Sequence, residues 1–257
     1  MKKIIKLLLV LSMYSKKVNV LFVGWCPINK VKKFLISILK CRIYVLSRET
    51  LEYLKKYTSS EIIQLKAGVD TKKFVTVSEE TKRELRKKYH FSDDEKIILH
   101  VGHLKKGRGV ETMLELDDQY TPLLIASTST SQEDEIRKLL ETKKKFRIID
   151  DYIPNIEEIY QLSDLYLFPV AEKGNCIDSP LSVFEAASCG LPVVTTKYGE
   201  LNAFVGEKGF TFIDESKKES INKEIENALS NSDGKANEKV FEYDWNEAIS
   251  QLSERLA

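Results

Sequence analysis

The chain has 257 residues, 42% of them hydrophobic, with 40 Lys and Arg against 39 Asp and Glu, a formal net charge of +1, four Cys and three His. At roughly 100–200 residues per domain this allows one large or two small packed domains, and it excludes a disordered tail protein, a collagen and a disulfide-stapled mini-protein. The neutral total is a cancellation: through Tyr57 the chain carries thirteen bases and two acids, a net of +11, and the remaining 200 residues carry −10.

Residues 1–17 (MKKIIKLLLVLSMYSKK) begin like a secretory signal, with a basic stretch before an apolar run. Lys6 interrupts that run, no small-x-small cleavage site follows, and the stretch is well short of the roughly 20 residues of a membrane-spanning helix, so an amphipathic or buried helix is expected. Residues 18–23 (VNVLFV), 42–46 (RIYVL) and 61–65 (EIIQL) then read as short buried strands, with helical spacing over 31–39 and 49–57. A turn at 67–70 (AGVD) leads to a highly charged helix at 79–89. A second series of strands follows at 96–101, 122–127, 146–149, 164–168, 192–196 and 209–212, with helices at 110–117, 131–142, 156–162, 180–188 and 218–229 between them. Strict alternation with short connections predicts parallel sheets covered on both faces. The break near 67–77 divides them into a small basic unit and a larger acidic one. Cys26, Cys41, Cys176 and Cys189 are scattered, without C-x-x-C spacing or paired His, which favours structural thiols in a reducing cytosol over a zinc site or a disulfide framework.

In open parallel sheets ligands bind at the carboxyl ends of the strands, so the loops that follow the strands carry the candidate chemistry. The first such loop reads Gly102, His103, Leu104, Lys105, Lys106, Gly107, Arg108, Gly109. Its glycines let the backbone pass close to a ligand, and its cations offer charge to an anion such as a diphosphate. A solvated Gly/Lys turn has the same composition, and the loop is neither a Walker loop nor a G-x-G-x-x-G fingerprint. The second loop runs from Asn175 to Pro192. Ser179 suits the N-cap of a helix, Pro180 its first position, and Gly190 followed by Pro192 its end. The free amides of Leu181 and Ser182 would form an anion site there. Glu185 lies roughly 7–8 Å along the axis at about 1.5 Å per residue, about the reach from a diphosphate to the ribose of one nucleotide. Glu185 is either a surface helix residue or a buried ribose ligand; the apolar neighbours Phe184, Ala186 and Ala187 favour the second.

At these residues the sequence resembles the retaining glycosyltransferases of family 4 (group 1), with the GT-B fold of two facing Rossmann-like domains. The segments that carry the resemblance are VLSRETLEYLKKY, AGVDTKKF, HVGHLKKGRGVETML, YIPNIEEIYQLSDLYLFP, SPLSVFEAASCGLPVVTT and YDWNEA, in order over residues 45–252. The resemblance implies an α/β chain with a Rossmann-like parallel-sheet donor domain at 75–257. Residues 1–74 would then be a truncated Rossmann-like acceptor-side domain and hinge, entered partway through. It implies a nucleotide-sugar donor, a UDP- or GDP-sugar, and no obligatory metal or cofactor. The family's diphosphate-binding Arg and Lys fall on His103 and Arg108, its ribose glutamate on Glu185, its small-residue turn on Ser127 and its base-lining position on Ile153. The family's first glutamate would fall on Ile177, which leaves Asp178 and Glu172 nearby to contact the transferred sugar.

In such a transfer the leaving diphosphate can itself take the acceptor's proton, so the protein mainly stabilises charge and positions the reactants. Arg108, Glu185 and Asp178 are the candidate catalytic residues, and Gly102, His103, Lys106, Gly107, Arg108, Ser127, Ile153, Leu181, Ser182 and Glu185 the candidate donor-binding set. If His103 acts as a cation, donor affinity should drop between about pH 6 and 7.5. The acceptor is expected to be a glycan or a lipid-linked molecule, and the chain cytoplasmic, with the basic N-terminus docking peripherally on the anionic inner face of the cell membrane. A complementing chain that supplies the missing acceptor side is a further expected partner. Nucleic acid is not, since the basic residues are not interleaved with stacking aromatics. The alternative is a nucleotide-binding fragment, or one subunit of a split transferase, without catalysis of its own.

Overall fold

The computed structural model describes residues 19–38, 41–127, 133–143, 145–170, 172–214 and 220–256; the helix expected over 1–17 lies outside them. Among the described residues nine strands form two parallel sheets. The first contains β1 (Asn19–Phe22), β2 (Arg42–Val45) and β3 (Ile62–Gln64) in that order. The second contains β4 (Lys96–Gly102), β5 (Tyr120–Ala126), β6 (Arg147–Ile149), β7 (Leu165–Phe168), β8 (Val193–Thr195) and β9 (Phe210–Phe212), in the order β6-β5-β4-β7-β8-β9. The chain starts in the middle at β4, builds outward to β6, then returns to pair β7 with β4 through Ile98–Leu165 and Leu99–Tyr166. That reversal leaves a crevice at the carboxyl ends of β4 and β7, the position where doubly wound sheets bind ligands.

All nine predicted strands are present, within two residues at each end. The helices are α1 (Lys30–Ile38), α2 (Arg48–Leu54), α3 (Glu79–Lys88), α4 (Asp134–Leu140), α5 (Ile156–Leu162), α6 (Leu181–Ser188), α7 (Ile221–Ser230) and α8 (Trp245–Leu256). The helix predicted at 110–117 is a 3-10 helix over Val110–Glu115. The 3-10 helices Gly199–Phe204 and Glu238–Tyr243, and α8 itself, were not legible as elements.

Sequence chemistry explains the better-bounded elements. In α3, Ser78 accepts a hydrogen bond from the Thr81 amide, Glu79 and Glu80 occupy the first turn, and Arg86, Lys87 and Lys88 the last, so charges of both signs oppose the helix dipole. α6 ends where Gly190 turns to φ +81, which lets the Leu191 amide reach back to the Ala186 carbonyl at 3.1 Å. A Cβ there would lie 2.4 Å from the Gly234 carbonyl oxygen.

The main core lies on the face of the second sheet covered by α3, α5 and α6, with Leu99, Tyr160, Tyr166, Phe168, Phe184 and Phe204 almost wholly buried. Phe184 stacks on Tyr243 at 4.6 Å and packs on Phe204 at 5.5 Å, so the 3-10 segment near the C-terminus closes this core. The connection between the sheets joins the same core through Val69 and Phe74. Val69 exchanges backbone hydrogen bonds with Tyr243 and Trp245, at 2.7 and 3.0 Å. A smaller core, with Ile43, Val45 and Leu54, sits beneath α1 and α2 in the first sheet.

The two sheets meet carboxyl end to carboxyl end. The Asp178 amide, in the loop after β7, donates to the carbonyl of Val23 just past β1, at 2.8 Å. Ser47, just past β2, donates to the Asp178 carboxylate at 2.9 Å, and Gln64, the last residue of β3, donates to Glu200 at 2.7 Å. The loops expected to carry the chemistry are thus held at the junction of the two units.

Candidate functional site

Three loops and the start of α6 lie at the carboxyl ends of the strands around the crevice. The loop after β4 turns at Gly107, whose φ is +81 and whose Cβ, if it had one, would collide with Asn175 Nδ2 at 2.2 Å. Asn175, in the loop after β7, donates instead to the Gly107 carbonyl at 3.0 Å, and the Arg108 charge favours the ionised form of the Cys176 thiol against burial, which pushes the thiol's pKa up. The loop after β5 joins through the Ser127 amide, which donates to the Gly102 carbonyl at 2.8 Å. The start of α6 follows directly from the loop after β7, the strand whose Tyr166 hydroxyl donates to the Val101 carbonyl of β4 at 3.2 Å. Gly102, His103, Lys106, Gly107, Arg108 and Ser127 therefore lie on tied loops at the carboxyl ends of β4 and β5, with Leu181 and Ser182 at the start of the helix that follows β7.

The cap of α6 differs from the expectation. The helix begins at Leu181 with Pro180 as its N-cap, and no side chain bonds its free amides. Ser179 is wholly buried and its hydroxyl has no hydrogen-bond partner. Leu181 and Ser182 are half-buried. The free amides at this end suit an anion, and the dipole reinforces them.

Glu185 is half-buried, with Oε2 accepting a hydrogen bond from the buried Tyr160 hydroxyl at 2.6 Å. Burial raises its pKa above the usual carboxylate range, against the pull of the Tyr160 bond and the Lys73 charge. Tyr160, from α5, is a partner of Glu185 that the sequence alone did not single out; its one signal was its place inside the YIPNIEEIYQLSDLYLFP block.

His103 does not have the electrostatics of a cation near neutral pH. Burial, then the Arg108 and Lys105 charges, lower its pKa, so its titration moves to the acid side of the ordinary imidazole value. The expected affinity change between pH 6 and 7.5 moves down with it. Lys106 is exposed, and its amide donates to Glu133 Oε2 at 3.1 Å. Ile153 lies in the loop after β6, half-buried against the main core, next to Tyr152, which is 87% exposed. Beneath the glycine loop, His100 is wholly buried with Nδ1 2.9 Å from the Leu167 carbonyl, and burial brings its pKa down to about 4.

Asp178 is 3% exposed, and Oδ2 accepts the hydroxyls of both Ser47 and Thr50 from the first unit. A carboxylate so engaged ties the loop after β7 to the start of α2 in the first unit. Glu172 accepts from Asn175 Nδ2 at 2.8 Å. Among the described residues, no group of three or more His, Cys, Asp and Glu is arranged to hold a metal ion. All four cysteines are free thiols.

The family model for glycosyl transferases group 1 matches residues 81–244, well over half the chain. The chain belongs to the group 1 glycosyltransferases. Its similarity to the Bacillus subtilis (strain 168) protein named as the teichuronic acid biosynthesis glycosyltransferase TuaC is 25% identity over 167 residues, 64% of this chain and 41% of that protein. Among solved structures, Anabaena Alr3699/HepE in complex with UDP and glucose superposes with a TM-score of 0.77 at 14% identity, covering 100% of this chain and 76% of that one. Sucrose-phosphate synthase from Thermosynechococcus elongatus gives 0.72 at 19% identity, covering 88% of this chain and 60% of that one. These likenesses show the GT-B fold of the group. The chain thus spans about two-fifths of the curated relative and three-fifths of the synthase.

Proposed function

We propose that this group 1 member is a glycosyltransferase that moves a sugar from a UDP- or GDP-sugar to a glycan or lipid-linked acceptor, with retention of anomeric configuration. The observation that carries the reading is the convergence of the glycine loop, the uncapped start of α6 and the Tyr160-held Glu185 on one switch-point crevice. The anionic diphosphate suits Arg108, Lys106 and the amides of Leu181 and Ser182. Gly102 and Gly107 allow close approach, and the Glu185 carboxylate suits a pair of ribose hydroxyls. Ser127 and Ile153 border the same end of the sheet, where the base would lie. UDP in the complexes of the Anabaena neighbour supports a uridine nucleotide.

In the reaction the bond from the anomeric carbon to the diphosphate oxygen breaks, and the acceptor hydroxyl oxygen bonds to that carbon on the same face. The hydroxyl proton passes to the departing diphosphate. The protein's cations and amides stabilise the charge that develops on that oxygen, which makes electrostatics and positioning its main contributions. Titration calorimetry with UDP and GDP, followed by incubation with a panel of UDP- and GDP-sugars and anomer assignment by NMR, tests the reading. An inverted product would remove retention. Nucleotide binding without transfer or hydrolysis by the chain alone would favour the non-catalytic alternative.

For the acceptor, α1 carries exposed Val31 and Phe34, at 67% and 64%, beside exposed Lys30 and Lys33. This basic and apolar surface supports an acceptor held at an anionic membrane on the cytoplasmic side, as do the free thiols. Co-sedimentation with liposomes should rise with the fraction of anionic lipid; insensitivity to it would discard membrane docking. No helix among the described residues is long and apolar enough to cross a membrane.

A further inference from the structure

The first unit meets the donor-side unit at the N-terminal turn of α2, which is seated between two buried carboxylates from loops of the second sheet. Asp178 accepts the hydroxyls of Ser47 and Thr50, residues that are 0% and 2% exposed. Glu200, itself 5% exposed, accepts the Arg48 amide at 3.4 Å and the Gln64 side chain at 2.7 Å, while its other oxygen accepts the Tyr243 hydroxyl at 2.7 Å. The two acids are joined directly, because the Glu200 amide donates to the Asp178 carbonyl at 2.7 Å. Carboxylates at a helix N-terminus are favourably placed against its dipole, and their hydrogen bonds offset much of the cost of burying charge.

Asp178 is also the third residue before Leu181, where α6 begins, and Pro180 between them has little backbone freedom. Its loop reaches the glycine loop through the Asn175 side chain, which donates to the Gly107 carbonyl at 3.0 Å. One segment, residues 172–180, therefore touches the seat of α2 on one side and both parts of the proposed diphosphate site on the other.

We propose that Asp178 is a positioning residue: its hold on Ser47 and Thr50 fixes the start of α6, so the seating of α2 in the first unit sets nucleotide affinity in the second. The inference rests on the donor-site reading above. The chemistry at stake is hydrogen bonding by hydroxyls that never touch the nucleotide, and removing either side of the tie releases the same loop. Energetic coupling through such a contact runs through a bonded, contiguous path rather than through proximity alone.

Calorimetry with UDP and GDP on the whole chain tests this, using Thr50→Val, Thr50→Ser, Asp178→Ala and the Thr50→Val/Asp178→Ala pair, well below each variant's melting temperature. Thr50→Val and Asp178→Ala should each weaken binding about fivefold, the pair should lose no more than the larger single effect, and Thr50→Ser should restore the wild-type value. A variant that is merely less stable would melt earlier yet bind with unchanged affinity, and that result would overturn the proposal, as would additive losses in the pair. If the wild type bound neither UDP nor GDP, the donor-site reading itself would fall and this inference with it. Wild-type binding with unaltered variants would remove only the inference.

Discussion

In the proposed donor site Arg108 and Glu185 would divide the work, one facing developing negative charge and the other accepting hydroxyl hydrogens. Removal of a charged hydrogen-bonding partner costs about 1.5–3 kcal/mol, so Arg108→Ala and Glu185→Ala should each weaken UDP binding by roughly 10-fold to 100-fold. Calorimetry showing unchanged affinity in both variants would sink the assignment. Tyr160 holds Glu185 from below, and Tyr160→Phe should give a smaller loss than Glu185→Ala, because the carboxylate remains but loses its 2.6 Å partner. His103 shows where residue identity misleads. An imidazole in a basic loop reads as a potential cation, but its charge depends on burial and on Arg108 and Lys105, and both disfavour protonation. Asp178 is the complementary case: its residue type fits a sugar contact, and only its neighbours Ser47 and Thr50, more than 120 positions away, reveal the other use.

Among elements, α6 was the most legible because its bounding residues and apolar content are local properties. Its end at Gly190 was correctly placed, and its start was displaced by one residue, with Pro180 rather than Ser179 at the N-cap, as Ser179 became buried instead of capping. The strands were legible for a similar reason, since a strand buried on both faces is an apolar run, as in the wholly buried Tyr120–Ala126. The C-terminal 3-10 helix and α8 carried no comparable signal. Their residues Val240 and Tyr243 matter because they cover Phe184 and Phe204, and that pairing joins segments some 40–60 residues apart. Phe184→Ala would open a cavity against Phe204 and Tyr243 and should cost about 3–5 kcal/mol. Urea unfolding would measure it, and a loss under about 1 kcal/mol would mean that the C-terminal segment does not close this core.

For the whole molecule, the consequential feature is the pair of buried acids at the junction. Burial raises the Glu200 pKa above the ordinary carboxylate value, outweighing the hydrogen bonds from Tyr243, Arg48 and Gln64, which lower it. A folded-state pKa above the unfolded one means that the folded chain binds this proton more tightly. The stabilising contribution is therefore present in full below the unfolded pKa and lost as pH rises through the folded one. Glu200→Gln, which is neutral throughout, should consequently gain stability relative to wild type as pH rises from about 4 to 7.5. Melting temperatures of the two proteins across that range check the sign, and a relative gain toward acid would contradict it.

The sequence by itself determined the order of the nine strands and of most of the helices between them, the family, and the stretches proposed to hold a nucleotide. The elements and loops follow from local periodicity, capping residues and glycine placement, all short-range properties of the chain, and the family from the resemblance of whole segments and the match over residues 81–244. Tertiary structure alone decided which side chains face the crevice and which face the other unit. It turned Asp178 toward α2, placed Tyr160 beneath Glu185 and buried Glu200 between the sheets, because each outcome depends on contacts between residues brought together only when the carboxyl ends of the two sheets meet. The near-zero net charge likewise concealed a basic unit and an acidic one, and the structure locates their meeting point at a helix N-terminus held by two carboxylates.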